Sequence, residues 1–343
     1  MSLGAAAAVL RALRAAETGL CSGEALSKAL GVSRSQIWKH VGSLRARGYQ
    51  IDGSAGGGYE LRGTPDRLFP EEILPGLETR RVAREIEHFE TVDSTNRVAH
   101  ERARSGAPHG YTVIAEAQTA GRGRLGRDFF SPAHENLYTS IILRPALTTA
   151  SCATSILAAA VAVAETALAL LEEPNRVAIK WPNDVLVDGK KTSGILMELA
   201  AEATRVDYLV LGVGINVNSD PATFPEAFRD KATSLAAARG ARVDRIGLAR
   251  DFFRRLEAIL ELHEAGGFAA LRERFDARFA MRGREIAVSD LDGSSTRGRA
   301  EGVDDDGALL LRLPDGELRR LFAGDVTIGS AASPGAEPLR TAS

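Results

Sequence analysis

Gly121-Arg122-Gly123-Arg124-Leu125-Gly126-Arg127 sets three glycines and three arginines within seven residues. Glycine lets the backbone approach a ligand closely. Arginine supplies permanent charge and forked donors that match phosphate or carboxylate. Such a loop is expected to be mobile when empty and ordered around an anion. Taken alone, it fits equally well a basic loop that binds RNA or is merely solvated.

Working outward, the β-branched stretch Arg176–Ile179 reads as a strand, followed by Lys180-Trp181-Pro182-Asn183-Asp184. Pro182 stops the strand, and Asn183 and Asp184 turn the chain. A plain hairpin corner has no need of Lys, Trp, Asn and Asp together. Lys191-Thr192-Ser193-Gly194-Ile195-Leu196 then leads from a lysine into an apolar strand. Gly212-Val213-Gly214-Ile215-Asn216-Val217-Asn218 ends another, Tyr208–Leu211, with glycines that allow close packing on the sheet. Two common phosphate motifs are excluded. Gly189-Lys190-Lys191-Thr192 resembles the end of a P-loop, but Asp184 stands in place of its first glycine. Gly212 and Gly214 lack the third glycine of a dinucleotide fingerprint, since Val217 occupies that place.

The N-terminal region differs in charge. Ala5 to Arg62 holds eight basic and four acidic residues, +4 against −2 for the whole chain. Ala5–Ala16 and Gly23–Leu30 suit helices, and Gly31-Val32-Ser33 is a tight turn. Ser33 caps a third helix, with Gln36 completing a capping box and Gly48 ending it. Ile37, Val41 and Leu44 share its inner face, while Ser35, Lys39 and Gly42 point outward with Arg34 and Arg45 at the flanks. No acid lies between Ser33 and Arg47. An apolar face inward and an uncompensated basic face outward suit a major groove lined by phosphates. Tyr49–Ile51 and Tyr59–Leu61, around the Gly-rich turn Gly53–Gly58, make a wing. The alternatives are a protein-binding winged helix or an unused helical cap. Trp38 is expected in the core, with an apolar contact to DNA as its other option.

Thr64–Pro75 holds three prolines and reads as a linker. Leu157–Leu171, interrupted by Glu165, reads as a buried helix. Near the end, Glu285–Val288, Gly298–Val303, Ala308–Leu313, Leu318–Phe322 and Val326–Ile328 read as short strands, with turns at Asp292-Gly293, Asp306-Gly307 and Asp315-Gly316. Composition, 44% hydrophobic and 26% charged over 343 residues, is that of a soluble multidomain protein. Net charge −2 requires any nucleic-acid contact to come from a local patch. Cys21 and Cys152, far apart, make a disulfide framework or Cys-based metal site an unsuitable reading and fit a reducing cytoplasm. Met1–Leu10 offers no signal-like pattern, and no membrane span is expected.

These segments in this order resemble the biotin–protein ligase family. The markers are Asp93-Ser94-Thr95-Asn96, Glu116-Ala117-Gln118-Thr119-Ala120, the Gly121–Arg127 loop, Lys180–Asp184, Lys191–Leu196 and Gly212–Asn216. The winged helix and strand-rich tail are similar to those of its bifunctional ligase–repressor subgroup. The resemblance covers nearly the whole chain, and the arginine loop with the Lys-Trp-Pro-Asn-Asp corner is its most specific part. It implies an α+β protein: a winged helix-turn-helix over 1–63, a linker over 64–79, a mixed α/β ligase domain over 80–275, a small SH3-like β-barrel over 276–330 and a disordered tail over 331–343.

The activity implied is ATP- and Mg2+-dependent conversion of biotin to biotinyl-5'-adenylate, then transfer to a lysine of a biotin carboxyl carrier protein. Operator DNA and a homodimer promoted by the adenylate are the other implied partners. By the resemblance Ser94, Thr95, Asn96, Gln118, Arg122, Gly123, Arg124 and Lys191 bind biotin, with Lys191 and Arg124 catalytic. Arg127, Phe129, Lys180, Asn183, Asp184 and Asn216 serve ATP, with Asp184 a magnesium ligand. Phe129 stands where a tryptophan is familiar. Ser33, Arg34, Ser35, Lys39 and Arg45 face DNA. A lipoate or octanoate transferase of the same superfamily is disfavoured by the corner and the full arginine loop. A pure sensor with a degenerate ligase domain lacks support, because Arg122, Arg124, Asp184 and Lys191 are all present. A ligase whose winged helix no longer binds an operator stays open.

Overall fold

The computed structural model describes residues 3–16, 19–54, 58–144, 152–202, 205–289 and 294–328. The expected wing tip at 55–57, the Asp292-Gly293 turn and the tail over 331–343 lie outside them. The chain divides into two units, Met1–Arg67 and Leu68–Ser343.

In the first unit, α1 (Leu3–Arg14), α2 (Gly23–Leu30) and α3 (Arg34–Ala46) pack with a three-stranded sheet. Its order is β1 (Leu20–Cys21), β3 (Gly58–Gly63), β2 (Gln50–Ser54). The short β1 was not anticipated, since a two-residue strand carries no periodicity. Local chemistry sets the helix ends. Ser22 accepts from the amide of Ala25 to start α2, and Gly31 at φ 64° ends it. Ser33 and Gln36 form the reciprocal box that starts α3. Leu10, Leu26, Ile37, Val41 and Leu44 are fully buried. Trp38 overturns the expectation of a core role: it is 64% exposed. Ile37, Val41 and Leu44 already fill the inward stripe, and position 38 is turned well away from it.

The second unit is built on a seven-stranded sheet of β4 (Ile86–Val92), β5 (Thr112–Gln118), β6 (Leu137–Leu143), β7 (Val177–Lys180), β8 (Asp184–Val187), β9 (Lys190–Glu202) and β10 (Arg205–Ile215). The spatial order is β4-β5-β6-β10-β9-β8-β7, with β4 and β5 parallel and the other pairs antiparallel. Successive residues alternate between faces. Val113, Ile142 and Val210 pack with α5 (Thr95–Arg104), whereas Ile114, Ile141 and Leu211 join the main core. That core is built on α6 (Ser155–Leu171) and, after the short α7 (Leu235–Arg239), α8 (Arg245–Gly266). Glu165, the lone acid of α6, is half-buried and meets Arg255 and Arg274 at the helix edge.

The segment read as a linker is structured from Leu68 on. Leu68, Phe69, Ile73 and Leu77 are buried, and Pro70–Ile73 forms α4. The prolines suggested a linker, but Pro70 sits at the first turn of a helix, where its missing N–H costs nothing. After α9 (Arg272–Asp276), the tail folds as β11 (Glu285–Ser289), β12 (Ser295–Val303), β13 (Leu309–Arg312), β14 (Leu318–Leu321) and β15 (Asp325–Ile328). They form one antiparallel sheet in the order β14-β13-β12-β11-β15. Its inner residues join the main core, and the Trp181 indole donates to the carbonyl of Gly307 at 3.0 Å. No helix among the described residues is long and apolar enough to cross a membrane.

Candidate active site

A cleft of about 820 Å3, its open mouth included, lies over the middle of the sheet. Three glycines make its floor. Gly214 on β10 stands opposite Gly194 on β9. A Cβ on Gly214 would meet the Phe129 ring at 2.6 Å, and one on Gly194 would lie 3.1 Å from that ring and 3.2 Å from the Lys191 ammonium. A Cβ on Gly212 would come within 2.0 Å of Asn96 Oδ1. These strands lack side chains where side chains from other elements rest directly on the backbone.

One wall is the start of α5. Ser94 is its N-cap residue, makes no capping bond and lines the cleft. Thr95 donates through its amide and hydroxyl to Gln118 Oε1 at 2.9 and 3.1 Å, and Gln118 Nε2 donates to Ser131 Oγ. Asn96 is held at both ends of its amide. Its Oδ1 accepts from Ser140 Oγ at 2.6 Å, and its Nδ2 donates to Glu198 Oε2 at 2.8 Å. Hydrogen bonds from His100 and Asn96 hold Glu198 below its ordinary pKa against the opposing effect of burial. This wall is a preset polar frame in which donors and acceptors are fixed before any ligand arrives.

The opposite wall is the arginine loop. Gly123 donates to the carbonyl of Arg127, Phe129 to that of Gly121, and Leu125 and Gly126 both take positive φ, 59° and 72°. The tight turn turns Arg124 and Arg127 toward acceptors. Arg124 donates to Asn183 Oδ1 at 3.2 Å and reaches the carbonyl of Gly324 at 3.5 Å. Arg127 pairs with Asp325 at 2.7 Å. Burial lowers the Arg124 pKa, opposed by the charges of Asp184 and Asp325. Hydrogen bonding from Arg127 lowers that of Asp325. Lys191 pairs with Asp184 at 2.6 Å.

The structure therefore brings Ser94, Thr95, Asn96, Gln118, Arg122, Gly123, Arg124, Arg127, Phe129, Asn183, Asp184 and Lys191 into one cleft. Lys180 and Asn216 do not line it. Lys180 faces Asp184 across the β7–β8 register. Asn216 is buried, and its amide donates to the carbonyl of Thr233. Both were expected at the nucleotide, and Lys180 lies near enough to the cleft for its charge to add to the hydrogen bond from Arg127 in lowering the pKa of Asp325. Sequence reading missed Tyr138, Ser140, Glu198 and Asp325. Glu198 had a legible signal, an acid four residues after Gly194 in an apolar strand. Asp325, nearly 200 residues from the loop it meets, had none.

Behind the cleft, Glu116 and Arg245 pair at 2.9 Å with neither side chain exposed. Burial would raise the Glu116 pKa, but His88, Arg245 and the amide of Leu68 overcome it and bring it down to about 2. Glu116 lies two residues before Gln118 on β5, so this pair anchors the strand that delivers Gln118.

In the first unit, Ser33, Arg34, Ser35 and Lys39 are exposed as expected. Arg45 is exposed too, but its Nε donates to the carbonyl of Ile51 at 2.8 Å, so it also braces the wing.

A glycine-floored sheet, a polar frame on one side and an arginine loop with a lysine on the other define a ligase site of the biotin/lipoate type. The Biotin/lipoate A/B protein ligase family matches residues 88–216, an HTH domain residues 6–60, and the Biotin protein ligase C terminal domain residues 283–329. Bifunctional ligase/repressor BirA of Bacillus subtilis is 37% identical over 90% of this chain and 94% of its own length. The Escherichia coli protein of that name is 33% identical over 90% and 93%. Among solved structures, a biotin protein ligase from Aquifex aeolicus in complex with biotin and ATP superposes with a TM-score of 0.62 at 27% identity, covering 72% of this chain and 100% of that one. The chain belongs to the bifunctional ligase/repressor family of biotin protein ligases.

Proposed function

We propose that this protein joins biotin to ATP as biotinyl-5'-adenylate, transfers the biotin to a lysine of a biotin carboxyl carrier protein, and acts as a biotin-responsive repressor. The observation that carries the reading is the convergence of Ser94, Gln118, Arg122, Arg124 and Lys191 on one cleft over the glycine floor. Ser94, Thr95, Asn96 and Gln118 hold the biotin ring, and the loop closes over its chain. A biotin carboxylate oxygen attacks the α-phosphorus of ATP, and the bond to pyrophosphate breaks. The lysine amine of the carrier then attacks the acyl carbon, and AMP leaves.

The first step brings two anions together. Lys191 and Arg124 offset that repulsion, and one such well-placed donor is worth roughly 3–4 kcal/mol. Both cations already have protein partners, so the anionic ligand exchanges for Asp184, Asn183 and Gly324. Asn183 and Arg127 serve the phosphates, and Phe129 offers a ring face to the adenine. No group of three acidic, His or Cys side chains that could cage a metal occurs among the described residues. Asp184 is the carboxylate that would hold a magnesium ion, which would supply charge neutralisation at the phosphates. The loop over the adenylate excludes water until the carrier lysine enters.

The basic face of α3 serves operator DNA. Pairing of two copies through their central sheets, promoted by the ordered loop, supplies two winged helices to two half-sites. This reading assigns the protein to the cytoplasm, where ATP and the carrier are available.

Pyrophosphate exchange into ATP tests the enzyme. It is expected to require biotin and magnesium, and equal exchange with lipoate would overturn it. Sedimentation with and without biotin plus ATP tests the sensor. A monomer shifting toward dimer, reversed by carrier protein, is the expected result, and unchanged association with unchanged operator affinity would remove it.

A further inference from the structure

We infer that Trp38 is a base-reading residue whose indole contacts the 5-methyl group of a thymine in the major groove. This rests on the DNA-binding reading above and names one element of its sequence specificity. The indole is 64% exposed on α3, while the hydrophobic residues Ile37, Val41 and Leu44 of that helix are fully buried. The helix does not need Trp38 for its core.

The neighbours of Trp38 point to the occupant. Arg34 and Ser35 lie one turn before it and Gly42 one turn after, all exposed. A Cβ on Gly42 would meet nothing within 4 Å, so the helix surface one turn after Trp38 is open. Arg34 and Lys39 supply cations, and α3 contains no acidic residue. An apolar plate bordered by cations fits a surface that is anionic at its edges and apolar at one point between them. In the major groove, every base-pair edge presents hydrogen-bond donors and acceptors, and the thymine C5-methyl is the one apolar group. Indole offers at most a single N–H donor, so hydrogen-bond readout suits it poorly.

The test uses full-length protein with biotin and ATP and a random-sequence duplex pool. Bound duplexes are sequenced for wild type, Trp38→Ala and Trp38→Phe. The expected motif has a thymine at one position of each half-site, whose enrichment disappears in Trp38→Ala and persists in Trp38→Phe. Replacing that thymine with deoxyuridine removes only the methyl group. It should weaken wild-type binding about fivefold, near the low end for a mismatched base pair, and leave Trp38→Ala unaffected. The same motif in wild type and Trp38→Ala, or no response of wild type to deoxyuridine, overturns the assignment while DNA binding stands. No enriched motif with wild type overturns DNA binding and the assignment with it. If Trp38→Ala binds no duplex, the deoxyuridine arm on wild type still decides. A blue shift of tryptophan emission with biotin and ATP but no DNA, absent in Trp38→Phe, would mean that protein covers the indole, and would also overturn it.

Discussion

The cleft and the outer face of α3 both collect cations for anionic ligands, but they store them differently. In the cleft, Lys191 is held by Asp184 and Arg127 by Asp325, while Arg124 leans on Asn183 and Gly324. On α3, Arg34 and Lys39 stand exposed on a helix without an acid. Where the cleft withdraws charge from water, as at the half-buried Arg124, it cannot leave that charge unpaired, so it keeps internal partners that a ligand displaces. An open helix face leaves its charge to water and counterions, which a phosphate backbone releases on contact. The contrast predicts unequal sensitivity to salt for the two activities.

The largest difference concerns salt. Two copies presenting Arg34, Lys39 and Arg45 offer six phosphate contacts, so operator affinity should fall by about 10^3 between 50 and 200 mM salt. Fluorescence anisotropy measures this, and biotin transfer measured over the same range should change far less. Equal salt dependence would break the comparison. Lys39→Ala is the cleaner probe of the slope, because Arg45 also supports the wing.

Next in size is Lys191→Ala. It should lower the single-turnover rate of adenylate formation by roughly 10^2 to 10^3. The change also leaves Asp184 without its cation, so Lys191→Arg, which keeps the charge, should recover part of the rate. An unchanged rate in the Ala variant would show that the pair with Asp184 is structural only.

Gly212→Ala sharpens the account of the opposite wall. Its Cβ would overlap Asn96 Oδ1, forcing Asn96 out of the frame set by Ser140 and Glu198. Overpacking of this kind costs about 1–3 kcal/mol, so the KM for biotin should rise about tenfold or more while that for ATP changes little. Parallel rises in both would mean that the sheet itself has shifted.

The smallest effect separates functional from structural pairing. Glu116 has a folded pKa of about 2, below its ordinary 4.5. Its stabilising contribution is therefore complete above pH 4.5 and is lost as pH falls toward 2. The thermal midpoint should drop through that window. Glu116→Gln should lower the midpoint at neutral pH and flatten its acid dependence, and an equally steep acid limb would assign that limb to other carboxylates.

Much of the cleft was legible because its chemistry is concentrated in short runs. Arg122, Arg124 and Arg127 fall in one loop, Asn183 and Asp184 in one corner, and all line the same cavity. Lys180 and Asn216 belong to equally suggestive runs yet do not line it. Alternation along a strand sends neighbouring side chains to opposite faces, so a run need not line a cavity at every position. Trp38 was misread because hydrophobicity alone suggests burial, whereas the inner stripe of α3 was already full.

What the sequence by itself determined is chiefly local. The span of α2, the Ser33–Gln36 box of α3 and the composition of the arginine loop depend on residues three or four apart, or on residue type alone. Only the tertiary structure decided that Asp325 meets Arg127, that Glu198 and Ser140 fix Asn96, and that Leu68 ends on the buried Glu116. Those contacts join residues 44 to 198 positions apart. They arise from strand order and sheet register, which the packing of the whole core sets and no short window of sequence contains.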